Sequence, residues 1–89
     1  MKIEYLSSYD RSFRKAEPEA QQRGIRAIDQ LLDYYLTGRR PLGLGLRRLR
    51  GEYWEIRAGL DQRVVFDLRK DRLTFVFFGN HNDVRRFLR

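Results

Sequence analysis

From Leu44 to Phe78 the chain breaks into short pieces that read as strands, and the breaks between them have hairpin length. The pieces are Leu44 to Leu49, Tyr53 to Ala58, Arg63 to Leu68 and Leu73 to Phe78. Gly51, Gly59-Leu60-Asp61 and Arg69-Lys70-Asp71-Arg72 separate them. Connections this short join antiparallel neighbours, so the pieces predict a β-meander. The last piece is almost wholly apolar (Leu73, Phe75, Val76, Phe77, Phe78), the pattern of a strand buried on both faces.

Ahead of the meander the periodicity changes. Lys2 to Leu6 reads as a short strand anchored by Ile3 and Leu6. Ser7-Ser8-Tyr9-Asp10 has the spacing of a capping box, with Ser7 as the cap of a short helix through Phe13 to about Lys15. Pro18 sits in the first turn of a second helix, with Glu19 beside it to favour the helix dipole. Ile25, Ile28, Leu31, Leu32 and Tyr35 form an apolar stripe at helical spacing, and Gly38 closes the helix. Gly24 weakens it by up to about 1 kcal/mol. Arg39 to Gly43 is a breaker segment. After the last strand, Gly79-Asn80-His81-Asn82-Asp83 reads as a turn and Val84 to Arg89 as a final helical turn or tail. The expected architecture is α+β: an N-terminal strand and a helical hairpin packed on a small antiparallel β-meander sheet, one domain over residues 1–89. A chain of this size buries somewhat over ~60% of its unfolded surface. Its 42% hydrophobic and 13% aromatic content supplies a compact core.

Missing residue types narrow the chemistry. There is no cysteine and only one histidine, so neither a thiolate or histidine-rich metal site nor a disulfide framework is available. No metal and no cofactor are expected. The N-terminus lacks a signal peptide's apolar run, and no apolar run approaches the ~18 residues of a membrane span. A cytoplasmic protein with no membrane partner is the expectation. The net charge of +7 is segregated. Residues 1–38 hold six basic and six acidic side chains, whereas residues 39–89 hold thirteen basic and six acidic ones. Sixteen of the nineteen basic residues are arginine, whose flat fork pairs bidentately with phosphate or carboxylate. Coding bias accounts equally well for the arginine-to-lysine ratio, but not for the segregation. A polyanion, either nucleic acid or an acidic protein segment, is the natural partner of such a surface.

Strand parity sorts the charged residues. Trp54 and Ile56 share one face with Val64, Phe66 and Leu68 and point into the core. Tyr53, Glu55, Arg57, Arg63, Val65 and Asp67 fall on the other, open face, where two arginines and two carboxylates gather. A solvated sheet face with cross-strand ion pairs has the same composition. His81 follows the adjoining strand at the rim of that face and is the only side chain whose unperturbed pKa is near neutrality. A lone polar turn residue looks no different. Arg47, Arg48 and Arg50, followed by Tyr53 and Trp54, suit phosphate contact with base stacking, and serve equally as charges protecting an edge strand.

Four segments taken together are familiar. Leu49-Arg50-Gly51, Tyr53-Trp54-Glu55-Ile56-Arg57, Gln62-Arg63-Val64-Val65-Phe66 and Val76-Phe77-Phe78-Gly79-Asn80-His81 resemble, in order and spacing, the RelE/ParE superfamily of toxins from bacterial toxin–antitoxin modules. The N-terminal strand and helical hairpin fit the same element order, so the resemblance covers essentially the whole chain. It implies a ribosome-dependent endoribonuclease acting on translated mRNA and inhibited by a cognate antitoxin. In such enzymes the ribose 2′-hydroxyl attacks the adjacent phosphate, giving a cyclic phosphate and a 5′-hydroxyl. Carried onto this chain, Arg63 holds the scissile phosphate, Arg57 shares that role, His81 donates a proton to the leaving oxygen and Glu55 is a candidate base. Arg47, Arg48, Arg50 and Arg85 are the expected nucleic-acid contacts.

The match is partial. Many nuclease members carry a tyrosine soon after the glycine–His/Arg turn, where this chain has Val84, Arg85 and, further on, Phe87. Some place a glutamate before the leucine–glycine segment, where this chain has Pro41-Leu42-Gly43-Leu44-Gly45. Others carry lysines on the first meander strand, where this chain has Glu55. Two alternatives therefore stand beside the nuclease: a toxin of the same fold that binds DNA gyrase, and an RNA-binding module without catalysis.

Overall fold

A computed structural model describes every residue from Met1 to Arg89. The elements run β1 (Lys2–Tyr5), α1 (Ser7–Lys15), α2 (Pro18–Thr37), β2 (Arg47–Arg48), β3 (Tyr53–Ala58), β4 (Gln62–Arg69), β5 (Arg72–Asn80) and α3 (His81–Phe87). The strands form one sheet in the order β1-β5-β4-β3-β2. The meander β2 to β5 is antiparallel, as expected, and the class is α+β. The N-terminal strand departs from the expectation. It joins the sheet itself, parallel to β5, with Ile3 opposite Leu73 and Tyr5 opposite Phe75, so the sheet is mixed. The helical hairpin α1–α2 begins the long connection that carries the chain from β1 through β2, β3 and β4 to its parallel partner β5.

Both helices lie on one face of the sheet. Tyr9, Ala27, Ile28 and Leu31 meet Ile56, Val64, Phe66, Leu73, Phe75 and Phe78 there, in a single core cluster. The apolar stripe of α2 is rotated from its expected position. Ile25 and Tyr35 are exposed, while Ala20, Gly24 and Ala27 are buried beside Ile28 and Leu31. Small side chains let the helix close on the sheet. A Cβ on Gly24 would come within 2.7 Å of the Phe78 ring, so this glycine's helix-weakening effect is accompanied by close packing. Gly38 ends α2 in the left-handed conformation, with φ of 75°.

Other local readings are corrected. Ser7 is the first residue of α1 and not its cap; Leu6 holds the cap position without a side-chain bond. The serines of this helix dock it on β5 instead. Ser8 Oγ donates to the Val76 carbonyl (2.6 Å), and Ser12 Oγ accepts from the Phe78 amide (2.9 Å). The piece from Leu44 to Leu49 pairs only at Arg47 and Arg48. Gly43 and Gly45 take positive φ and break the ladder, and Leu44 between them turns into the core with its carbonyl accepting from the Arg57 amide (2.8 Å). The segment from Gly79 to Asp83 is not a free turn: β5 runs to Asn80 and α3 starts at His81. Tyr9 is buried with its hydroxyl unpartnered. That burial, reinforced by Tyr5 and Asp10, pushes its phenol pKa up.

The second face of the sheet is half covered. Val76 has no partner on β4, because the register shifts between Val65 and Phe66; this bulge lets Val76 and Phe77 both turn away from the main core. With Val65, Val84, Phe87 and Leu49 they form a small second cluster beneath α3. No helix is long and apolar enough to cross a membrane.

Candidate functional site

The meander register builds the site. Arg57 on β3 stands directly opposite Arg63 on β4, and Arg63 stands opposite Gly79 on β5. One rung further along β3, Glu55 is opposite Arg47 on β2 and Val65 on β4. His81 comes two residues after Gly79. These side chains line one cleft of about 300 Å³: Arg47, Glu55, Arg57, Arg63 and His81, with Gly45 at its wall. The structure thus brings together the four residues assigned catalytic roles by resemblance, and adds Arg47 to them.

The charges are not equivalent. Glu55 is 4% exposed. One of its oxygens, Oε2, lies 3.0 Å from Arg47 Nη2 and 3.9 Å from Arg63 Nε. Arg63 is mostly buried and its Nη1 also donates to the carbonyls of Leu60 (3.2 Å) and Gln62 (2.9 Å), so its guanidinium is fixed. Arg57 is exposed and makes no side-chain hydrogen bond or ion pair; its stem crosses Gly45, where a Cβ would fall 2.6 Å from Arg57 Cγ. Like charges directly across a strand pair repel. Three arginines around one buried carboxylate leave the cleft positive, and an incoming phosphate relieves that repulsion with charge-assisted bonds. Replacing Glu55 with glutamine removes the only internal anion of the cleft. A loss of about 1–3 kcal/mol is expected, because the partner groups stay behind unpaired. A shift of the urea unfolding midpoint measures it, and an unchanged midpoint contradicts this role for Glu55.

His81 is placed by the start of α3. Asn80 caps that helix: its side chain accepts from the Asp83 amide (2.8 Å) and Asp83 Oδ2 accepts from the Asn80 amide (3.1 Å). Arg86 pairs with Asp83 on the same short helix. Asn80→Ala is expected to cost about 1 kcal/mol. Amide exchange should rise across α3 while β3 and β4 stay protected; unchanged protection of α3 would show that the cap does not hold His81.

Other expected site residues lie elsewhere. Asp67 is opposite Tyr53, away from the cleft, and binds Arg69, so the arginine–carboxylate cluster contains one carboxylate and not two. Val65, expected on the open face, is fully buried under α3. Arg48 pairs with Trp54 on the helix-bearing face, its guanidinium 5.9 Å from the ring centroid. Arg50 Nη1 donates to the Leu88 carbonyl (2.7 Å), and Arg85 is exposed on α3. Two contributors were not singled out as part of the cleft from sequence, Gly45 and the Asn80–Asp83 cap. The second had a readable signal, the Asn-x-x-Asp spacing ahead of Val84.

This topology defines the class: the fold is that of the RelE/YoeB-type toxins. The Methanococcus jannaschii RelB–RelE antitoxin–toxin complex matches with a TM-score of 0.70 at 13% identity, over 96% of this chain and 98% of that one. YafQ in the Escherichia coli DinJ–YafQ toxin–antitoxin complex matches at 0.67 and 20% identity, over 93% of this chain and 94% of that one. The YoeB/ParE toxin from Agrobacterium tumefaciens matches at 0.64 and 19% identity, over 91% and 99%. At the level of sequence, no family model and no curated protein matches the chain.

Proposed function

We propose that this chain is the toxin of a toxin–antitoxin pair and that its cleft cleaves messenger RNA on the ribosome in the cytoplasm. The observation that carries the reading is the convergence of Arg57, Arg63, Glu55 and His81 on one positive cleft of a toxin fold. The 2′-hydroxyl attacks the adjacent phosphorus and the bond from phosphorus to the 5′-oxygen breaks. Arg63, held rigid by two carbonyls, and the free guanidinium of Arg57 stabilise the doubly charged phosphorane-like transition state. His81 supplies a proton to the departing 5′-oxygen. Glu55, the one carboxylate lining the cleft, accepts the proton of the 2′-hydroxyl and also keeps Arg47 and Arg63 in place. A cyclic phosphate and a 5′-hydroxyl result. An acidic segment of a cognate antitoxin covers this cleft in the inactive pair; the RelE and YafQ neighbours are both found in complexes with antitoxins.

A second reading, a toxin of this fold that binds DNA gyrase, draws support from α3. Its Phe87 stacks on Phe77, with ring centroids 4.7 Å apart, and brings no hydroxyl to the cleft. A third, an RNA-binding module without catalysis, has the same charge. Induced expression with mapping of RNA ends, alongside plasmid supercoiling by gyrase with purified protein, separates the three. New ends in translated mRNA support the first; gyrase inhibition without them supports the second; salt-sensitive RNA binding with neither supports the third.

A further inference from the structure

We propose that the cleft continues as a track over the β3–β4 turn onto α2, where Arg26 and Arg23 bind the backbone of single-stranded RNA extending beyond the scissile phosphate; this rests on reading the cleft as an RNA site. Arg57 is the link. It lines the cleft on one side and, on the other, an adjoining hollow of about 170 Å³ that it shares with Arg23, Arg26, Gln30, Gly43 and Gly59. No carboxylate lines that hollow. The five ion pairs of the protein use Arg47, Arg63, Arg69, Arg72 and Arg86, so Arg23, Arg26 and Arg57 have no acidic partner, and none of the three makes a side-chain hydrogen bond. Each keeps five donors for a ligand.

Two turns are shaped around these arginines in the same way. A Cβ on Gly59, where φ is 84°, would fall 2.6 Å from Cδ and Nε of Arg23. Gly45, where φ is 64°, accommodates the stem of Arg57 likewise. Each glycine satisfies its turn and leaves room for a guanidinium to cross it. Arg23 and Arg26 are one turn apart on α2, about 5–6 Å between Cβ atoms, while Gly24 and Ala27 beside them are buried against the sheet and fix their direction. The net-zero charge of the first 38 residues conceals this arrangement.

The test uses the full chain and oligoribonucleotides of 4 and 12 nucleotides carrying 2′-O-methyl groups, which cannot be cleaved by 2′-hydroxyl attack. Binding is measured across a range of salt. For the 12-mer, R23Q/R26Q should lower the magnitude of the log K against log salt slope by about 1.4, two phosphates at about 0.7 each. The 4-mer, which occupies the cleft alone, should bind the variant and the parent equally, and R23K/R26K should keep the parent slope on the 12-mer. Should the double variant fail to fold, R26Q alone, at an exposed position, should lower the magnitude by about 0.7. An unchanged 12-mer slope in a folded variant overturns the track while leaving the cleft reading intact. Absence of salt-dependent binding of either oligonucleotide to the parent protein overturns both.

Discussion

Replacing Arg63 with alanine should lower RNA cleavage by about 10²–10³-fold, the effect of removing one pre-positioned donor to a developing oxyanion. Arg63 is singled out because its guanidinium is held before any substrate arrives, by the Leu60 and Gln62 carbonyls and by the nearby Glu55. Arg57, exposed and unpaired, has to be ordered by the ligand. Arg63→Lys should recover only part of the activity, because an ammonium keeps the charge and loses the fork. His81→Gln should fall by a comparable factor, within the ~10²–10⁴ range of a general acid. Growth arrest on induction and mRNA cleavage by purified protein added to translating ribosomes are the readouts. Both persisting at parental level in a folded Arg63→Ala variant would remove this residue from the mechanism.

Phe75→Ala should cost about 3–5 kcal/mol, the range for deleting a buried aromatic ring. Phe75 is fully buried, stacks on Tyr5 of β1 at 5.0 Å, and lies 6.0 and 6.1 Å from the rings of Tyr9 and Phe66. It therefore joins the parallel strand, α1 and the meander at one point. A small domain has roughly 5–15 kcal/mol of stability in all, so the variant should lie close to unfolding. At about 4–8 °C per kcal/mol, the midpoint of thermal unfolding should fall by at least about 12 °C. A drop of only a few degrees would mean that the aromatic cluster is redundant. The consequence reaches the cleft, because β5 carries Gly79 and leads into His81.

The parts of the fold that local chemistry decides were legible. Alternation in Tyr53–Ala58 placed Ile56 and Trp54 on the core side and Glu55 and Arg57 opposite, and the structure has them so. Hairpin-length separators defined the meander. The pairing of β1 was not legible, because a strand of four residues carries no mark of a partner some seventy residues away. Leu44 reads as a strand residue by its side chain, yet Gly43 and Gly45 beside it control the backbone. In α2 the most hydrophobic residues suggested the buried stripe, whereas the face that closes on the sheet also buries Ala20, Gly24 and Ala27, with Gly24 against the Phe78 ring. The burial of Glu55 depends on Arg47 coming across from β2 and on Arg63 from β4, both non-local. Asp67 shares the parity of Arg63 but sits too far along the strand to reach the cleft, a distinction that parity alone does not make.

The chemical form of the RNA ends tests the central claim most directly. Purified protein added to translating ribosomes, or ribosomes isolated after a brief induction, supplies the cleaved RNA. Attack by a 2′-hydroxyl in the cleft of Glu55, Arg57, Arg63 and His81 leaves a 2′,3′-cyclic phosphate upstream and a 5′-hydroxyl downstream, and both should disappear in Arg63→Ala. RNA that is bound but intact, or ends bearing a 5′-phosphate, would contradict it.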